Sequence, residues 1–212
     1  MKRNLFLTTI TAMAGMVLMS GCTKEPLENM TEAETRIYIT NHDSTANFAA
    51  FKTFSIADSV AVVRNGQLLK KDLQDIDARF IQGMKDFMQQ RGYVLVSKDQ
   101  NPDLGINISR VYNTYTGVIS YPSYWGYYIS IWDPYYWGYP GYVYYFPYAF
   151  DVYKIREGAL SVDIIDLKDA KDDKKIKGLW NGLIRGEGIF NSGNVNSQIK
   201  ALFDQSPYIK TN

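Results

Sequence analysis

Residues 159–186, ALSVDIIDLKDAKDDKKIKGLWNGLIRG, contain the clearest pair of strands in this sequence. Over Ala159–Leu167 apolar side chains largely alternate with polar ones, which is the period of a strand that covers a core with one face. The charged segment Lys168–Lys175 predicts a turn, and Ile176–Gly186 predicts the strand that returns beside the first. The stretch therefore indicates an antiparallel hairpin.

Two helices flank this hairpin in the sequence. The longer one is predicted over Leu68–Arg91, where apolar residues recur every three or four positions, and Gly92 follows where helices commonly end. Its apolar residues are Leu69, Leu73, Ile76, Phe80, Met84, Phe87 and Met88. A shorter helix is predicted over Val195–Gln205, before Pro207. We expect the apolar face of the long helix to be buried against a sheet.

Shorter strands are predicted on both sides of the long helix. They are Arg36–Thr40, Phe48–Ile56, Val60–Val63, Tyr93–Val96 and a strand that begins at Leu104. Asn65-Gly66 is a strong turn signal. The order of these elements predicts an α+β fold, an antiparallel β-sheet with the long helix and the C-terminal helix packed on one face. An aromatic-rich, irregular insert separates the Leu104 strand from the hairpin.

The N-terminus has the pattern of a bacterial lipoprotein signal. Two basic residues precede the uncharged, mostly apolar run Leu5–Met19, which is shorter than the ~20 residues that a membrane-spanning helix needs. Ser20-Gly21 directly before Cys22 resembles a lipobox, the motif at which diacylglycerol is attached to the cysteine sulfur and the chain is cut. We therefore expect residues 1–21 to be a lipoprotein signal peptide and Cys22 to carry the lipid.

The rest of the chain would then be held at a membrane surface by acyl chains such as palmitate, since two or more chains anchor a protein stably. Residues 22–35 are polar and acidic without an apolar period, which predicts a tether. Residues 36–212 are expected to form a single domain. These features predict a cell-envelope lipoprotein, anchored by its N-terminal lipid to the outer membrane of a Gram-negative bacterium.

The composition excludes several kinds of site. His42 is the only histidine and Cys22 the only cysteine, so a His- or Cys-rich zinc site and an internal disulfide cannot be built. The chain has 23 Lys and Arg against 22 Asp and Glu, which gives no basic excess for binding nucleic acid. The sequence contains no set of nucleophile and base, and we expect no metal and no cofactor.

Residues 121–150, called the aromatic insert below, hold 16 of the 31 Phe, Trp and Tyr residues. Four prolines and three glycines in it argue against a long helix or an interior strand. Three interpretations remain open: the insert covers one sheet face as a Tyr-rich second core, presents a binding surface, or dips into the lipid interface. The candidate binding residues are Tyr124, Trp125, Tyr128, Trp132, Tyr136, Trp137, Tyr142 and Tyr145.

These observations favour a non-enzymatic binding or assembly module whose partner is an envelope protein or a glycan. The alternative is a glycan hydrolase that uses carboxylates such as Asp133 and Asp163, which would have to face one cleft. A third hypothesis is a purely structural envelope protein with no ligand.

Short motifs in a characteristic order resemble those of the bacterial lipoprotein domain-of-unknown-function family 4136. They are Asn47-Phe48, Phe51-Lys52-Thr53-Phe54, Arg91-Gly92-Tyr93, Pro102-Asp103-Leu104, the run Gly158–Asp166, Leu179-Trp180-Asn181-Gly182 and Ser206-Pro207. The resemblance extends over about residues 36–208. It implies an α+β lipoprotein domain and carries over no catalytic residue, because the family has no agreed activity.

Overall fold

The computed structural model describes residues 30–65, 67–112, 119–120, 132, 134–147, 151–152 and 158–211. The chain divides into two compact units, Met1–Thr31 and Glu32–Asn212, and almost all described residues belong to the second. The predicted signal peptide and Cys22 lie outside the described residues. Within the described ranges, no helix is both long and apolar enough to cross a membrane.

The described residues form eleven strands and four α-helices. In chain order the strands are β1 Ile37–His42, β2 Thr53–Ile56, β3 Val60–Arg64, β4 Gln67–Asp72, β5 Val94–Leu95, β6 Leu104–Tyr112, β7 Ile119–Ser120, β8 Val143–Tyr145, β9 Asp151–Val152, β10 Ala159–Asp166 and β11 Lys175–Arg185. The helices are α1 Glu32–Thr35, α2 Asp75–Gln90, α3 Ala170–Asp173 and α4 Val195–Asp204.

Four strands form the centre of a nine-stranded sheet in the order β1, β11, β10, β6, and each neighbouring pair is antiparallel. The predicted hairpin is confirmed, since β10 and β11 pair with Leu160 opposite Ile184 and Asp163 opposite Asn181. Their register shifts at Ile164/Ile165. Strands β7 and β9 form a separate antiparallel pair.

Four strands of the large sheet, β2, β3, β5 and β8, each run parallel to a neighbour. β2 and β3 both pair with β6, β5 pairs with β2, and β8 pairs with β11, each in the parallel sense. The predicted α+β class is confirmed, and its antiparallel part consists of the four central strands and the β3–β4 hairpin. The alternation of side chains could not distinguish the two senses, because parallel and antiparallel strands share the same two-residue period.

The long helix begins later than its apolar pattern predicted. α2 starts at Asp75, where Gln74 and Asp77 form a capping box. The residues before it form β4, which pairs with β3, so the predicted start at Leu68 is wrong. The physical reason is the tight turn after β3, where Asn65 takes a φ of +50° that few residues other than glycine tolerate and the chain folds back.

Because α2 begins at Asp75 and not at Leu68, fewer of the predicted apolar residues are buried. Phe80, Met84 and Met88 are fully buried in the core, and the two remaining predicted members within α2 are half-buried. Leu69 and Leu73 are exposed, because they lie on or just beyond the edge strand β4 instead of on the helix. The predicted burial of these two leucines is therefore wrong.

Helices α2 and α4 cover one face of the sheet, as predicted. Phe80 and Met84 of α2 share one core with Ile199 and Phe203 of α4 and with Trp180 of β11. The indole N–H of Trp180 donates to Ser206 Oγ at 2.9 Å, so the polar atom of this central side chain is paired.

The chain enters this domain at one end of the sheet. α1 lies within the segment predicted as a tether, and Thr35 Oγ1 accepts a hydrogen bond from the backbone N–H of Glu187 at 3.2 Å. Arg36 Nε donates to the Glu187 carbonyl at 3.0 Å. These bonds attach the start of the domain to the loop after β11.

Candidate functional site

The second face of the sheet is covered by the described part of the aromatic insert. Trp132, Trp137 and Tyr144 share a core with Val111 of β6 and Leu183 of β11. The two tryptophans are only 2% and 5% exposed. At these residues the insert forms the second core that was one of the three interpretations.

Hydrogen bonds fix the two tryptophans against polar residues of the sheet. The indole N–H of Trp132 donates to Ser109 Oγ at 3.0 Å, and that of Trp137 donates to Asn107 Oδ1 at 3.2 Å. Both acceptors are buried side chains of β6. Because buried polar groups without a partner are costly, these two bonds hold the tryptophans in one place on the sheet.

A row of polar side chains crosses the four central strands beneath this cover. Asn41, Asn181, Asp163 and Asn107 occupy paired positions on β1, β11, β10 and β6. Asn181 Nδ2 donates to Asp163 Oδ1 at 2.6 Å and to Ser161 Oγ at 2.9 Å. Among the described residues, Asp163 Oδ2 and Asn181 Oδ1 are buried without a hydrogen-bond partner.

Burial makes Asp163 a weak acid. The side chain is 1% exposed, and this desolvation raises its pKa to about 8, although the hydrogen bond from Asn181 acts in the opposite direction. The carboxyl group predicted as a hydrolase candidate therefore lies under the insert and is closed to solvent. The second candidate, Asp133, lies outside the described residues.

A cleft opens on the outer side of the insert, with a volume of about 440 Å³. Its walls are the segment Tyr135–Pro140 of the insert and, from the rest of the domain, Lys98, Asp99, Asn101 and Lys171. Its volume falls within the range of about 300–1,000 Å³ that is typical of small-molecule sites.

Tyrosines of this segment differ in how firmly they are held. Tyr136 OH accepts from the backbone N–H of Asp58 at 3.1 Å, and Tyr139 OH donates to the Leu167 carbonyl at 2.8 Å. Tyr135 lies on the same 3-10 turn, Pro134–Trp137, and is 71% exposed. The cleft thus has a fixed aromatic wall with one accessible ring at its rim.

In the part of the chain that the structure describes, three lysines and two carboxylates, Asp99 and Asp58, lie around the cleft. Lys98 Nζ lies 5.0 Å from the ring centroid of Tyr136, and Lys71 Nζ lies 5.2 Å from the same centroid. Lys171 adds a third cation to this region. Asp99 is the only carboxylate among the described lining residues. Burial raises the pKa of Tyr136, so its hydroxyl stays protonated at neutral pH.

The remaining predicted binding residues are more scattered. Tyr145 is exposed on β8, with Lys175 Nζ at 6.0 Å from its ring centroid, while Tyr142 is half-buried against Tyr139. Three others lie outside the described residues. They are Tyr124, Trp125 and Tyr128.

The described residues include no group of three or more His, Cys, Asp or Glu side chains placed to hold a metal ion. The single histidine, His42, stacks on Tyr208 with ring centroids 4.2 Å apart. It therefore packs beside the C-terminal segment, on the side of the sheet away from the cleft.

Comparison with known families assigns the chain. The family described as Domain of unknown function (DUF4136) matches residues 39–208, which include the central sheet, both long helices and the cleft. This chain belongs to the DUF4136 family. The resemblance seen in the short motifs is thereby confirmed.

Another DUF4136 protein has the same fold. The crystal structure of a DUF4136 family protein from Bacteroides thetaiotaomicron superposes with a TM-score of 0.69, at 26% sequence identity over 84% of this chain and 99% of that one. No curated protein matches this chain significantly. The family description names no activity, so DUF4136 membership fixes the fold and assigns no functional residue.

Several residues that line the cleft of this DUF4136 protein were not predicted from the sequence. Tyr135 and Tyr139 belong to the insert but could not be ranked above its other tyrosines, since exposure depends on packing. Lys98 and Lys171 come from segments 73 residues apart, and no local motif connects them. The polar residues within β6, β10 and β11 were the one signal in the sequence that could have indicated the covering role of the insert. Buried polar side chains need hydrogen-bond partners, and the segment that covers them must supply donors.

Proposed function

We propose that this chain is a lipid-anchored protein of the Gram-negative cell envelope that binds a ligand in the cleft without catalysing a reaction. The anchor follows from Cys22, the single cysteine, which stands directly after Ser20-Gly21 behind a short apolar run. Diacylglycerol on Cys22 would hold the domain at the outer membrane through the segment that leads to Glu32.

One observation supports the binding role: the described part of the insert is buried at Trp132 and Trp137 and exposed at Tyr135. Trp132 and Trp137 are buried and hydrogen-bonded to the sheet, whereas Tyr135 on the same turn as Trp137 is 71% exposed beside the cleft. The cover thus presents one exposed ring beside the cavity. Rigid, accessible tyrosines provide contact area at low entropic cost, which suits binding.

The groups in the cleft favour binding over hydrolysis. Glycan hydrolysis ordinarily needs two carboxyl groups that flank the scissile bond. Asp99 is the only carboxylate among the described residues of the cleft, and Asp163 is buried on the inner side of the insert. This arrangement gives no support to the predicted hydrolase, while the aromatic wall and the lysines are suited to recognition.

Site-specific photo-crosslinking in native envelopes tests this proposal. A photoreactive phenylalanine analogue replaces Tyr135 in the full-length chain, and the control carries the same analogue at Leu73, which is 58% exposed on the edge of the sheet. We expect a discrete adduct at position 135 and none at position 73. The same adduct at both positions, or none at position 135, would contradict a binding role for the cleft.

A further inference from the structure

We infer that the cleft binds an acidic glycan, a chain of sugar rings that carries carboxylates, at the end of the sheet opposite to the one where the chain enters it. This inference rests on the proposed function and specifies its ligand. Three independent features of the described residues lead to it: the aromatic wall, the charge of the rim and the position of the cleft on the sheet.

The aromatic wall is suited to sugar rings. Tyr136 and Tyr139 use their hydroxyls in hydrogen bonds to Asp58 and Leu167, which hold their half-buried rings in the wall of the cleft. Tyr135 extends this surface to the rim. Flat, amphipathic rings with few internal rotations can stack on the apolar faces of sugars and still tolerate the water around their hydroxyls.

The charge of the rim selects among glycans. Lys98 and Lys171 line the cleft and Lys71 lies over the ring of Tyr136, whereas the carboxylates here are Asp99, which lines the cleft, and Asp58, which interacts with the Tyr136 hydroxyl. The side chains of Lys98 and Lys171 are exposed, and the ammonium group of Lys98 is held over the Tyr136 ring. Complementary charge favours a carboxylate-bearing chain over a neutral one of the same sugars.

The position of the cleft separates it from the point where the chain enters the domain. The chain enters the domain beside Ile37, which pairs with Arg185 at the end of β11. The cleft residue Lys171 precedes the opposite end of β11, which begins at Lys175. Eleven residues at about 3.3 Å each make this strand about 36 Å long. Ile37 and the cleft therefore lie at opposite ends of the sheet, which leaves the cleft clear of the point where the chain joins the domain.

Binding of two matched hexasaccharides tests the ligand class. Hyaluronan hexasaccharide alternates N-acetylglucosamine with carboxylate-bearing glucuronic acid, whereas chitohexaose contains N-acetylglucosamine alone. Titration calorimetry with the full-length Cys22→Ala chain should give at least tenfold tighter binding of the hyaluronan fragment. Equal binding of the two sugars, or binding of neither, would overturn the acidic-glycan inference.

Single substitutions assign the binding to the cleft. Lys98→Gln and Lys171→Gln should each weaken hyaluronan binding by about twofold to fivefold, the usual worth of one exposed charge pair, and Tyr135→Ala by about tenfold. Lys200→Gln, on the helix-covered face, is the matched control and should change nothing. Binding that survives all three cleft substitutions lies elsewhere and refutes the inference.

The orientation has its own test. The lipidated chain in phosphatidylcholine liposomes should bind the hyaluronan fragment as well as the soluble Cys22→Ala chain does, because the cleft lies at the opposite end of the sheet from Ile37, where the chain enters. Loss of binding in liposomes, or capture of the soluble chain by phosphatidylglycerol vesicles through Lys98 and Lys171, would overturn the inference in favour of a membrane ligand. An adduct at position 135 without any hyaluronan binding would refute the acidic glycan and leave the proposed function standing.

Discussion

Asp163 is a carboxylic acid whose position in the fold opposes its ionisation. It lies in the middle strand pair, covered by the aromatic insert, and its carboxyl group has one hydrogen-bond donor, Asn181, among the described residues. Such a group is kept neutral by burial, since an ionised carboxylate without solvent or a cation is far more costly than a protonated one.

This burial predicts a defined pH dependence of stability. The pKa of Asp163 is about 8 in the folded chain against an ordinary 3.8, so between these values the folded state holds a proton that the unfolded state has lost. The free energy of unfolding should therefore fall as pH rises through this window, by up to about 1.4 kcal/mol per pH unit from this group. Asp163→Asn removes the titration and keeps an acceptor for Asn181.

Chemical denaturation at pH 5 and pH 8 measures this effect. The stability of Asp163→Asn relative to the unsubstituted chain should be clearly greater at pH 8 than at pH 5. An equal difference at both pH values would show that Asp163 is ionised in the folded protein, and hence that the insert does not exclude water from it.

Neighbouring residues of the insert should respond in opposite ways to truncation. Trp137 is buried and hydrogen-bonded to Asn107, so Trp137→Ala should lower the free energy of unfolding by ~3–5 kcal/mol. Tyr135 lies two residues earlier and is 71% exposed, so Tyr135→Ala should lower the free energy of unfolding by no more than about 0.5 kcal/mol. Thermal or urea melts compare the two variants directly, and similar losses in both would mean that Tyr135 is part of the core.

At the scale of elements, the apolar pattern of α2 predicted the buried face of the helix correctly and its first residue wrongly. Its apolar stripe was predicted from Leu68 onward, and the part within Asp75–Gln90 does face the core. The preceding residues have a helical spacing too, but pairing of β4 with β3 across the turn at Asn65 places them in a hairpin. Strand pairing is a long-range gain that local spacing does not reveal.

This division of the helix pattern gives a matched pair of substitutions. Phe80→Ala, fully buried against the sheet, should cost ~3–5 kcal/mol of unfolding free energy, a large part of the stability of an ordinary domain. Leu73→Ala, exposed just before the helix, should cost less than about 0.5 kcal/mol. Urea unfolding measures both variants. A large loss of unfolding free energy in Leu73→Ala would mean that Leu73 is buried, as the longer predicted helix requires.

At the scale of the whole molecule, the sheet is buried on both faces, by helices on one side and by the described part of the insert on the other. The chain enters this layered domain beside Ile37, at the opposite end of the sheet from the cleft. Under the function proposed above, a substitution in the cleft would change binding and leave the anchor untouched, and a substitution of Cys22 would do the reverse.

Cys22→Ala tests the anchor without touching the folded domain. The change should move the protein from the membrane fraction to the soluble periplasm, or leave the signal uncut, because the sulfur that carries the lipid is gone. Fractionation followed by mass spectrometry of the mature N-terminus measures this outcome. An unmodified Cys22 in a membrane-free parent protein would contradict lipidation.

The sequence by itself determined the α+β class, the β10–β11 hairpin, the apolar face of α2 and the family, because these depend on short-range periodicity and on the order of motifs. Only the tertiary structure decided the parallel strands, the β3–β4 hairpin, the burial of Asp163 and the separation of the described part of the insert into a buried base and an exposed rim. The tertiary structure also decided that Lys98, Tyr135 and Lys171 lie together in the cleft. Each of these features depends on contacts between residues far apart in the chain, and the free energy of such contacts is not encoded in the composition or spacing of any single segment.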